Sequence, residues 1–98
     1  MTQRAEALVN AAIAEGWPRA LEDIRTAIRQ PSVSRTGEGV QAMADWLCAY
    51  LAELGASVRQ VPGQRAPIVE GELTAGADRP TLLFYELYDV QPAEGQPG

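Results

Sequence analysis

The stretch TLLFYELYDVQPAE, residues 81–94, decides how this chain is read. It opens as an apolar run, Thr81-Leu82-Leu83-Phe84-Tyr85. It then meets a charge at Glu86, a leucine at Leu87 and a second charge at Asp89, and Pro92 closes it. A near-continuous apolar run of this length is the pattern of a strand covered on both faces. The spacing therefore predicts a central strand over residues 81–87. In open α/β sheets, ligands bind outside the carboxyl ends of the strands, which here means Leu87, Tyr88 and Asp89. Alternation puts Leu87 and Asp89 on one face and Tyr88 on the other. A metal ligand at 87 backed by a carboxylate at 89 is a sensible arrangement, because the carboxylate orients the ligand and raises its basicity.

Working back from that stretch, residues 74–80 (TAGADRP) form a turn-rich connection. Residues 68–73 read as a strand opened by Pro67, and residues 56–61 as another, ended by Pro62-Gly63. The strands over 68–73 and 81–87 are placed to pair as a hairpin across the 74–80 loop. Val40, Met43, Ala44, Leu47, Cys48, Leu51 and Leu54 make an apolar helical stripe, stopped by Gly55, which predicts a helix over about 39–54. Ala5, Leu8, Val9, Ala12 and Ile13 predict a helix over 3–15. Gly16 fits a position just past a helix end, and Pro18 fits the first turn of a new helix. A second stripe of Leu21, Ile24 and Ile28 follows, so the first thirty or so residues hold either one kinked helix or two. Residues 30–34 (QPSVS) break that helix, since proline biases its predecessor away from helical geometry. Trp17, Trp46 and Cys48, at helical spacing, are expected to be core or partly buried. Ser32 and Ser34 read as turn chemistry.

Composition narrows the function. The 98 residues carry a net charge of -5 with no cluster of basic residues, which argues against a nucleic-acid or anionic-membrane surface. There is no histidine, so a histidine general base, a catalytic triad and a histidine-held metal are excluded within these residues. No aspartate-rich loop of calcium-binding spacing occurs. The single Cys48 makes no internal disulfide, and the N-terminal residues read as neither a signal peptide nor a membrane span. A cytoplasmic location is the expectation.

Tyr88-Asp89-Val90-Gln91-Pro92, preceded by Thr81-Leu82-Leu83-Phe84-Tyr85, resembles the first metal motif of the aminoacylase/carnosine-dipeptidase-like di-zinc metallopeptidases, and is most similar to the dipeptidase branch. The resemblance extends from about residue 20 to 93. Ile28-Arg29-Gln30-Pro31-Ser32-Val33-Ser34 is similar to the family's early helix end and turn. Ala44-Asp45-Trp46-Leu47 through Leu54-Gly55-Ala56 is similar to its second helix, and Pro67-Ile68-Val69-Glu70-Gly71 to the strand before the metal motif. The late motif is specific, and the others support it by order and spacing. In the family two zinc ions activate a water, a glutamate removes its proton, and the hydroxide attacks an amide carbonyl.

The chain departs from the family where the chemistry is concentrated. The family has Gly-His where this chain has Glu86-Leu87, and that histidine is a zinc ligand. Leucine has no lone pair, so position 87 binds no metal, and Glu86 points to the opposite face. Asp89 matches the family's orienting aspartate, the one catalytic position carried over. The bridging carboxylate, the glutamate base, the remaining ligands and the lid domain lie downstream in the family. The resemblance thus implies an α/β fold in which two or three N-terminal helices precede three strands, the incomplete first part of a zinc-peptidase-like mixed sheet. Residues 1–98 are then a partial catalytic domain with a flexible tail over 93–98. The function implied is hydrolysis of dipeptide or N-acyl amino acid amide bonds, with zinc at family level and none for this chain, which is expected to be inactive alone. The alternative is a non-catalytic module that self-associates, or pairs with a partner, through an open sheet edge.

Overall fold

A computed structural model describes residues 2–93 of the chain. It is a mixed α/β structure: helix α1 (Gln3–Arg29), helix α2 (Val40–Glu53), strand β1 (Ser57–Val61) and strand β2 (Ile68–Glu72). The tail expected over 93–98 lies, past residue 93, outside the described residues.

The first helix is one piece, running through Gly16 and Pro18. The apolar stripe keeps phase across the proline, with Ile13, Trp17, Leu21, Ile24 and Ile28 at steps of three and four, so one helix serves both halves. Thr2 caps it, its hydroxyl accepting from the Ala5 amide at 3.2 Å, while Glu6 near the start and Arg29 in the last turn suit the helix dipole. Arg19–Asp23 at 3.2 Å and Arg29–Glu22 at 3.3 Å add the few tenths of a kcal/mol usual for exposed pairs. No residue of α1 is buried. Trp17, expected in or near a core, is 52% exposed. Most of its stripe is exposed, with Leu21 half-buried, and periodicity reports a face without reporting whether anything covers it.

The core lies under α2. Val40, Met43 and Ala44 are buried at i, i+3, i+4 spacing, and the helix crosses both strands of the hairpin. Trp46 is half-buried and stacks on Tyr50 with ring centroids 5.1 Å apart. Cys48 is half-buried. Close approach to the sheet is possible at Gly71, where a side chain would meet Leu51 Cδ1 at 3.1 Å. Asp45 joins helix to strand by accepting from Gln60 at 2.7 Å and Gln41 at 3.0 Å. Those two donors, Gln60 first, hold its carboxyl below the ordinary range.

β1 and β2 pair antiparallel, with Ser57 opposite Glu72 and Val61 opposite Ile68. Arg59 grips Glu70 across the ladder through two bonds of 3.0 and 3.2 Å. The hairpin expected between the second and third strands is therefore replaced by one between the first and second. The turn signal at Pro62-Gly63 closes it.

The third strand is absent from the described residues. Residues 81–89 carry no strand pairing, and Leu82, Leu83, Phe84 and Tyr85 are between 82% and 91% exposed. A strand made to be covered on both faces needs neighbours on both sides, and a two-stranded hairpin bearing one helix does not supply them.

Candidate functional site

The turn at 31–34 and the segment 88–90 lie side by side. Val33 and Val90 form a parallel bridge. The Val90 amide donates to the Ser32 carbonyl at 2.8 Å, and the Ser34 amide donates to the Val90 carbonyl at 3.0 Å. Both serine hydroxyls reinforce the join: Ser32 Oγ donates to the Tyr88 carbonyl at 2.8 Å, and Ser34 Oγ to the Val90 carbonyl at 3.1 Å. Ser32 is only 4% exposed, and its bond is what permits a hydroxyl to sit there. The serines do more than shape a turn. They reach a segment 56 residues away, a contact with no local signature in the sequence.

Residues 86–89 lie outside any strand, and only Tyr88 among them is partly covered. Tyr88 is half-buried and donates its hydroxyl proton to the Pro67 carbonyl at 2.5 Å, while Leu87 and Asp89 are exposed. Glu86 is exposed as well. Among the described residues no group of three or more His, Cys, Asp or Glu is placed to hold a metal. Leu87 offers no lone pair to a metal. No described helix is long and apolar enough to cross a membrane.

Burial, and after it the neighbouring Asp89 carboxylate, disfavours the phenolate of Tyr88, so this group keeps its proton to higher pH than an ordinary tyrosine. The folded chain thus binds that proton more tightly than the unfolded chain does. The resulting stabilisation is complete below the ordinary value of 10.0 and is lost as pH rises through the higher folded value. Tyr88→Phe is expected to cost about 0.5–1.5 kcal/mol at neutral pH and to flatten the alkaline fall in stability. Urea denaturation of both forms from neutral pH into the alkaline range checks this, and an unchanged alkaline slope would contradict it.

Compared with protein-family models, curated proteins and solved structures, the chain matches none.

Proposed function

We propose that the chain is the N-terminal part of a zinc metallohydrolase that cleaves dipeptide or N-acyl amino acid amide bonds, and that these 98 residues alone are inactive. The observation that carries this reading is the exposed run 82–85, an apolar sequence built for a sheet interior and left in solvent. Surface area supports it. The chain exposes 8530 Å², whereas a compact monomer of 10.5 kDa exposes roughly 5400 Å². The adjacency of 31–34 and 88–90, which both resemble segments of the family, also supports it.

In this reading residues 81–87 are the third strand of a mixed sheet, ordered when further strands flank them. Asp89 holds the orienting position beside the missing imidazole at Leu87. The substrate is a small peptide or an N-acyl amino acid, and the location is cytoplasmic, in keeping with the lone Cys48. No nucleic acid or membrane enters it. A second reading rests on the same exposure: a non-catalytic module whose uncovered strand pairs with another copy or a partner.

The intact mass of the product in its source cells separates the two. A product several times heavier than 10.5 kDa is expected under the hydrolase reading, and one of 10.5 kDa overturns it in favour of the second. The purified 98-residue chain is expected to take up no stoichiometric zinc. One zinc per chain by elemental analysis would contradict this.

A further inference from the structure

Beside the joined segments lies an open hollow of about 680 Å³ lined by Ser34, Arg35, Thr36, Gly37, Arg65 and Gln91. Three stretches of chain meet there, and each is fixed. The 33–38 turn is closed by the Val33 amide donating to the Glu38 carbonyl at 2.9 Å and the Gly37 amide donating to the Val33 carbonyl at 2.8 Å. Gln91 follows Val90, which is bonded to both serines' segment. Arg65 sits in the β1–β2 loop, and that loop is tied to the same segment by the Tyr88 hydroxyl on the Pro67 carbonyl.

The charge of the hollow runs against the charge of the chain. The chain is acidic, with 13 Asp and Glu against 8 basic residues, yet among the described residues no carboxylate lines this surface. Ion pairs among the described residues engage Arg19, Arg25, Arg29 and Arg59, and not Arg4, Arg35, Arg65 or Arg79; of these four only Arg35 and Arg65 line the hollow. Like charges lining one hollow disfavour each other, and a bound anion offsets that cost. The remaining lining supplies hydroxyls and an amide, groups that donate to oxygen. Guanidinium forks match phosphate and carboxylate oxygens in pairs. The volume is in the range of small-molecule sites, while the polar lining selects a small charged ligand over an apolar one.

We propose that this hollow is a binding site for a small doubly charged oxyanion, a phosphate ester or a dicarboxylate, gripped by Arg35 and Arg65 and seated by Ser34, Thr36 and Gln91. The site is independent of zinc hydrolysis and stands whether or not that reading does.

Titration calorimetry of the 98-residue chain with glycerol phosphate, inorganic phosphate and succinate, at low and at raised ionic strength, tests it. At least one probe is expected to saturate, with affinity falling as salt rises. A phosphate ester preferred over succinate identifies a phosphate site, and the reverse a dicarboxylate site. Arg35→Gln and Arg65→Gln are each expected to weaken binding about tenfold or more, the loss of one charged hydrogen-bonding partner. Arg79→Gln, outside the hollow, is expected to leave it unchanged. Amide shifts in the unmodified chain, which need no variant to fold, are expected to concentrate at 34–37, 65 and 91. Saturation by none of the probes, equal binding by the three variants, or shifts centred elsewhere would overturn the site.

Discussion

Leu83→Glu is expected to leave the 98-residue chain as stable as before, within about 0.5 kcal/mol. The same substitution is expected to cost about 3 kcal/mol or more in the product as its source cells make it. Leu83 is 91% exposed, so nothing in the isolated chain depends on it. Under the proposed reading the run 81–87 is flanked in that product, and the side chain lies in an interior. Burying a leucine contributes about 1.5–3 kcal/mol, and a buried unpaired carboxylate adds a further penalty. If the flanking strand comes from a second copy, the effect is read as association weakened more than about 100-fold. Denaturant titrations of both forms, with sedimentation of the second, check the contrast. Equal effects in the two settings would mean that the run has no covered state.

The second large effect is expected at the entry to α2. Gly39 is left-handed, at φ 71°, and a Cβ there would stand 2.1 Å from the Pro31 carbonyl oxygen. Gly39→Ala therefore meets two costs. The left-handed conformation costs a non-glycine residue about 1–2 kcal/mol, and the backbone contact forces a shift of the kind that costs about 1–3 kcal/mol. A loss of about 3 kcal/mol is expected. Gly37, also left-handed at φ 79°, has nothing within 4 Å of its Cβ position, so Gly37→Ala is expected to show the conformational cost alone, about 1–2 kcal/mol. Urea denaturation of the pair measures the difference, and equal losses would remove the steric part of the account.

The legible parts of the fold are those whose local pattern and packing agree. The stripe from Val40 to Leu54 predicts α2 almost to the residue because Val40, Met43 and Ala44 do face a sheet. The bounds of β1 and β2 are legible from Pro62-Gly63 and Pro67, which punctuate them. The pairing is not, since alternation in each strand says nothing of which partner it takes. Pro18 pulls the eye toward a helix break that the phase of Trp17 and Leu21 overrides. The run 81–87 reads correctly as apolar and wrongly, for the described residues, as a paired strand. Its pattern specifies an environment that the hairpin and its helix do not provide. At the site, the partial burial of Tyr88 comes with its bond to the Pro67 carbonyl, and exposed Glu86 shows that strand alternation does not account for it. The bond from Ser32 to the Tyr88 carbonyl and the hollow lined by Arg35 and Arg65 depend on tertiary placement, which no spacing in the sequence encodes.

Hydrogen exchange across residues 82–87, compared between the dilute 98-residue chain and the product isolated from its source cells, tests most directly whether this segment is a strand awaiting neighbours. The predicted result is exchange near the unprotected rate in the dilute chain and slowing by about a thousandfold in the native product, the mark of about 4 kcal/mol of local opening. Exchange that stays fast in the native product would contradict it, leaving 81–87 an exposed loop and removing the main support for a sheet completed by further chain.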